Sequence, residues 1–373
     1  MTHKRTTHRL IASFLTCCAA ALATQAFAQT EEKLLNFYNW SSYIAPDTIA
    51  NFEKETGIKV RYDTFDSSEI LHTKLVAGRT GYDIVMSSSG WGRMQADGGL
   101  LQPLDKAQLP NLKNLDPVIQ AQVAKLDPGN QYMVTWLWGY TAVGINVDKV
   151  KAALGSTPMP DNAWDLLFKP EYVSKLKSCG VSYLDSASEV LPAVLHYLGK
   201  PLSSTNPADY AAANNLLKSV RPYVTLFSSS GYINDLMSGS ICVSMGWSGD
   251  LNSARQRAID NKTGQKIEAL MPKTGGIMFF DTMVIPVDAP HAGNAHMFMN
   301  YIMRPEVHAA LTNTLYYANP NKEGRKFVKP DIANSPAVFP SDAEINRMGV
   351  QGAVNNDIRR LMSRTYTTFK SGL

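Results

Sequence analysis

LLNFYNWSSYIAPDTIANFEKETGIKVRYDTFDSSEILHTKLVAGRTGYDIVMSSSGW, residues 34–91, alternates short apolar runs with amphipathic ones. Leu34 to Asn39 reads as a strand. Pro46 at a helix start, Asp47 in its first turn, apolar Ile49 and Phe52, and Gly57 at the stop describe a short amphipathic helix. Ile58 to Thr64 is a second strand, with Val60 and Tyr62 on one face. Asp66-Ser67-Ser68-Glu69 has the composition of a helix cap, and Ile70, Leu71, Leu75 and Val76 follow as a buried side. Asp83 to Met86 is a third strand, running into Ser87-Ser88-Ser89-Gly90-Trp91. This βαβαβ order predicts an α/β fold built on a parallel sheet with helices on both faces. Ligands of such sheets gather at the carboxyl ends of the strands.

Upstream, Lys4, Arg5 and Arg9 form a basic region, Leu10 to Ala23 an apolar one, and Ala26-Phe27-Ala28 a small-x-small cleavage site. Residues 1–28 are therefore expected to be a signal peptide, with Gln29 opening an exported chain. The apolar stretch is too short to span a bilayer. Cys17 and Cys18 raise a lipoprotein alternative, although Thr16 stands where a small residue precedes a lipidated cysteine. The chain carries 36 Lys and Arg against 32 Asp and Glu, and the leader holds three of the bases and no acid. The pI of 8.7 is thus partly a property of the leader. A nearly neutral mature chain does not supply the concentrated basic face that nucleic-acid binding needs. Roughly 345 mature residues suffice for two lobes with large cores.

Downstream, Tyr132 to Asn146 is rich in β-formers (Val134, Trp136, Trp138, Val143, Ile145) and reads as a strand able to cross between lobes. Ile241 to Trp247 is an apolar strand that empties into Gly246-Trp247-Ser248-Gly249-Asp250 and then a helical pattern. Gly276 to Val287 is another, with Phe279-Phe280-Asp281 inside it. There is no repeat, low-complexity tract or long linker. The expected lobes are interwoven: 29–135 with 258–305, and 136–257 with 306–373.

Four strand ends or helix starts carry the candidate chemistry. Trp40, Ser41, Ser42 and Tyr43 follow the first strand; taken alone they read as core and turn. Ser87, Ser88 and Ser89 sit at a strand-to-helix turn, where serines commonly satisfy orphan backbone N–H groups. Ser186-Ala187-Ser188-Glu189 matches a capping box ahead of Val190, Leu191, Val194 and Leu195, which locally assigns Glu189 to a cap. Asp250, behind Trp247, stands equally well as a cap or as a site residue. Asp281 differs, because it interrupts an apolar strand. A carboxylate there must be paired or face a cleft. Three carboxylates amid Trp40, Tyr43, Trp247, Phe279 and Tyr317 suit a cation with an apolar body.

Enzyme signatures are missing: there is no G-x-S-x-G elbow, Walker loop or H-E-x-x-H. The mature histidines, His72, His196, His291, His296 and His308, are scattered and read as structural or surface residues. No metal site and no cofactor is expected. In an oxidising compartment Cys179 and Cys242 favour one disulfide, with two buried thiols as the alternative.

The run YNWSSYIAPDTIANFEKETGIKVRYDTFDSSE resembles the extracytoplasmic polyamine-binding proteins of bacterial ABC importers, the putrescine-receptor type above all. The likeness continues through NLDP (Asn114 to Pro117), GINVDKVKAALG, KLKSCGVSYLD, YINDL (Tyr232 to Leu236), ICVSMGWSGD, FFD and YYAN (Tyr316 to Asn319), in order over nearly the whole mature chain. The resemblance implies a two-lobed periplasmic-binding-protein fold of type II. Each lobe would be a mainly parallel sheet flanked by helices, with the ligand in the cleft between them. It implies a receptor rather than an enzyme: a monomeric carrier that captures a putrescine- or spermidine-like amine and delivers it to permease subunits in the inner membrane. Carried over by position, the ligand set is Trp40, Ser41, Tyr43 and Ser88 with Glu189, Ser229, Trp247, Asp250, Phe279, Asp281 and Tyr317. The family also pairs the cysteines matching Cys179 and Cys242. Two positions depart from it. The putrescine receptors usually carry Asp where Ser42 stands, at one end of the ligand box, and Phe where Trp91 stands. A different cationic amine, or an amine-sensing role toward a signalling partner, is the alternative.

Overall fold

The computed structural model describes residues 31–65 and 67–372; the expected leader, like Asp66, lies outside them. Strand β1, Leu34–Trp40, is buried through its middle, as a parallel strand covered on both faces must be. It pairs in parallel with β2, Lys59–Phe65, from Leu34 opposite Lys59 to Trp40 opposite Phe65, and on its other side with β3, Ile84–Ser88. The helix between β1 and β2, Thr48–Thr56, starts two residues beyond Pro46 and ends where Gly57, at φ 72°, donates its N–H to the Glu53 carbonyl. The helix between β2 and β3, Ser68–Ala77, is capped by Ser67, whose side chain accepts from the Ile70 N–H. Only Leu71 and Leu75 of its expected buried side are buried; Ile70 and Val76 are exposed. Residues four apart share a helix face, and Ile70 and Val76 fall outside the narrow stripe that this pair defines.

β4, Val134–Asn146, is buried along its whole length and belongs to two sheets. Val134 to Tyr140 pairs antiparallel with β9, Ile277–Val284, which also runs antiparallel to β3. Thr141 to Asn146 pairs with β7, Val243–Trp247, and β8, Ile267–Leu270. β7 continues in parallel to β5, Val181–Tyr183, and β5 to β6, Leu226–Phe227. β10, Gly349–Val350, returns to pair with β9.

Each sheet thus has three parallel strands, as expected for its βαβ units, but the strands that join the sheets are antiparallel. They have to be, because the chain crosses and returns along neighbouring strands. β4 changes partner from β9 to β7 between Tyr140 and Thr141, and β8 pairs with its second half. Cys179 and Cys242 are joined by a disulfide. It ties the starts of β5 and β7, where Val181 pairs with Val243. Among the described residues no helix is long and apolar enough to cross a membrane.

Candidate functional site

Asp281 lies on β9, the strand that both β3 and β4 flank, opposite Ser88 on one side and Leu137 on the other. It is 9% exposed and accepts a hydrogen bond from the Tyr43 hydroxyl at 2.9 Å. The carboxylate in the apolar strand is therefore paired. Burial pushes its pKa up to about 7, and the nearby charge of Asp250 adds to this while the Tyr43 hydrogen bond opposes it.

Asp250 occupies the first turn of the helix Ser248–Asp260, which has no side-chain cap. Its carboxylate is held by two tyrosine hydroxyls. One oxygen accepts from Tyr317 at 2.7 Å and the other from Tyr232 at 2.9 Å. Burial raises its pKa, against the pull of the two tyrosine hydrogen bonds and of Arg257. The chain places Tyr317 by ending the helix Pro305–Leu315 at Tyr316, whose φ of 61° is left-handed, and by donating the Trp138 N–H to the Ala318 carbonyl at 2.9 Å. The Tyr317 ring lies so close over Gly249 that an added Cβ would come within 2.3 Å of it. A Cβ on Gly139 would meet Phe279 at 2.8 Å and Tyr317 at 3.0 Å.

Glu189 is in the first turn of the helix Ala187–Tyr197. The capping box legible in its sequence does not form. Ser186 makes no side-chain cap; its hydroxyl pairs with that of Ser188 at 3.1 Å, a nearer partner on the same turn. The Glu189 carboxyl lies instead beside the Trp247 side chain, which favours its charged form. Burial pushes its pKa up to about 7, with the Trp247 side chain opposing and Asp281 reinforcing the shift. Glu189 and Asp250 keep part of their surface open while protein packs around the carboxyls.

Tyr43 and Tyr317 meet edge to face with centroids 5.7 Å apart, and Phe279 meets Tyr317 at 6.0 Å. These contacts bring together Tyr43, Glu189, Trp247, Asp250, Phe279, Asp281 and Tyr317. Ser88 begins the helix Ser89–Asp97 without a side-chain cap, opposite Asp281; it is Ser87 that is buried, donating to Gln95 at 2.9 Å. Trp40 packs on Phe65 at 4.3 Å. Ser41 and Ser42 are exposed in the turn after β1, Ser42 at φ 57°. The Ser229 hydroxyl accepts from the Asp185 N–H at 3.0 Å, which secures the loop leading to the Glu189 helix. Trp91 lies between the His72 ring at 5.4 Å and the Arg359 guanidinium at 5.5 Å.

Tyr232, inside YINDL, and the glycines that make room for the rings are functional positions that the local sequence pattern does not mark. Their trace in the sequence is Gly246-Trp247-Ser248-Gly249-Asp250, where two glycines flank a strand end.

The family model for bacterial extracellular solute-binding proteins matches residues 47–340. The chain is 46% identical over 343 residues to the putrescine-binding periplasmic protein PotF of Escherichia coli (strain K12), covering 92% of each. It is 43% identical over 369 residues to the putrescine-binding periplasmic protein SpuD of Pseudomonas aeruginosa (strain UCBPP-PA14), covering 99% of each. Among solved structures, the spermidine/putrescine ABC transporter substrate-binding protein PotD from Streptococcus pneumoniae superposes with a TM-score of 0.77 at 27% identity, over 91% of this chain and 99% of that one. A two-sheet α/β scaffold, a cluster of buried acids and rings, and these likenesses agree: the chain belongs to the bacterial extracellular solute-binding proteins.

Proposed function

We propose that this chain is a periplasmic receptor that captures a putrescine- or spermidine-like amine and delivers it to an ABC permease, without chemically changing it. The observation that carries the reading is electrostatic. Glu189, Asp250 and Asp281 share one aromatic-walled site, and the hydrogen bonds to Asp250 and Asp281 come from neutral tyrosine hydroxyls. Burying acids without a cation disfavours their charged form, so an ammonium entering the site supplies the missing charge. Rings supply flat apolar walls for the methylene chain and attract the ammonium through their faces.

In this reading Asp250 and Asp281 neutralise one ammonium, and Glu189 with Ser41 and Ser88 orients the other end. Trp40, Tyr43, Trp247, Phe279 and Tyr317 sandwich the chain. Ser42 and Ser229 border the box, and Ser42 leaves its end without a fourth carboxylate. The two lobes, divided within β4, close on the ligand as a monomer and present the closed shape to the permease. The names of the similar proteins, putrescine-binding and periplasmic, support the ligand class and the compartment.

Calorimetry with putrescine, cadaverine, agmatine and spermidine tests the reading. Saturable heat with at least one of them is expected, abolished or greatly weakened in Asp250→Asn. No heat with any of the four overturns it.

A further inference from the structure

Tyr232 is fully buried and is the first residue of the helix Tyr232–Ser238. Its hydroxyl accepts from the Trp247 backbone N–H at 3.2 Å and donates to Asp250 at 2.9 Å. The direction of this relay is forced. An amide N–H can only donate, so the phenol oxygen accepts there and its single proton goes to the carboxylate. The side chain of the same tryptophan lies beside Glu189 and acts on its carboxyl. One phenol thus braces the strand end beside which Asp250 and Glu189 lie. The ring fits because position 246 is glycine: a Cβ there would come within 2.6 Å of it.

We propose that Tyr232 is a positioning residue for amine capture, holding both oxygens of Asp250 as acceptors aimed at an ammonium group. This rests on the amine-receptor reading above. Tyr317 takes one oxygen and Tyr232 the other, so a proton added to Asp250 would displace one of two buried donors. Each oxygen retains a lone pair for the ligand. The titratable groups facing Asp250 are Tyr232, Tyr317 and Arg257, with Asp281 and Tyr43 acting on it across the site and Glu189 facing Tyr232. Of these, Tyr232 and Tyr317 alone donate to it directly.

Tyr232→Phe removes the hydroxyl and keeps the ring. Calorimetry with the tightest-binding of the four amines, at pH 6.5, 7.5 and 8.5, should show a loss on the order of ten- to a hundredfold at the lowest pH, the range of a hydrogen bond to a charged group. The loss should shrink as pH rises, because alkali restores the carboxylate that the missing donor no longer favours. A merely structural role predicts a loss independent of pH, and that result, like unchanged affinity, overturns the proposal. Near-UV circular dichroism checks the fold. Should the variant not fold, 3-fluorotyrosine at position 232 keeps ring and hydroxyl with a stronger donor. The pH midpoint of affinity should then move down, and an unmoved midpoint overturns the proposal. If the natural chain binds none of the amines, the receptor reading falls and this inference with it; if it binds and the variants match it, this inference alone falls.

Discussion

Tyr43 and Tyr317 touch edge to face at 5.7 Å, yet each gives its hydroxyl to a different acid, Tyr43 to Asp281 and Tyr317 to Asp250. A shift of either ring disturbs its own carboxylate and its contact with the other ring. Tyr43→Phe and Tyr317→Phe should therefore each weaken amine binding by roughly tenfold or more, as expected for loss of a hydrogen bond to a charged group. The double variant should deviate from additivity, since the two rings are in contact. Calorimetric affinities for the four proteins of the cycle check this; strict additivity would separate the two tyrosines.

The acids give opposite pH trends for the empty and the loaded protein. Glu189 and Asp281 hold their protons to about pH 7 in the fold, whereas unfolded carboxyls release them near pH ~4. Their folded pKa values are raised, so the empty fold binds more protons than the unfolded chain within that window. Their contribution to stability is present at acid pH and lost as pH climbs through about 7. Amine affinity should do the reverse and rise over the same range, as the acids ionise. Melting temperature against pH, with and without amine, shows the two slopes; parallel slopes would contradict the assignment.

Gly249→Ala places a methyl group within 2.3 Å of the Tyr317 ring. Overpacking of this kind typically destabilises by about 1–3 kcal/mol. The ring must move, and with it the donor to Asp250, so affinity should fall more than stability does. Paired urea titrations and calorimetry measure the two. A stable variant with intact affinity would show that Tyr317 does not contribute from this pose.

The disulfide closes a loop of 63 residues between the starts of β5 and β7. Chain-entropy arguments put such a link at about 4 kcal/mol. Cys179→Ser with Cys242→Ser should lower the urea midpoint accordingly, while amine affinity changes little, because β7 carries its box residue at the opposite end, Trp247. A large loss of affinity in the folded variant would contradict this separation.

Much of the architecture was legible because its signals are local. The βαβαβ order from Leu34 to Ser88 follows from alternating apolar runs, and Asp281 announced itself by interrupting one. The pairing of β4 with two sheets was less accessible, since Val134 to Asn146 is rich in β-formers and buried along its whole length, so no change of exposure marks where partners change. The capping box at Ser186 does not form because the pattern reports what a helix start can satisfy, not which distant side chains the fold brings beside it. Tyr232 was hidden for the same reason. Its role depends on Gly246 and Asp250, whose proximity to it only the fold creates.

β4 also bears on how the molecule comes apart. A strand that supplies the partner of β9 at one end and of β7 at the other leaves neither sheet complete without it. The two halves should therefore melt as one cooperative unit, and the β4 amides should exchange with solvent only through global unfolding.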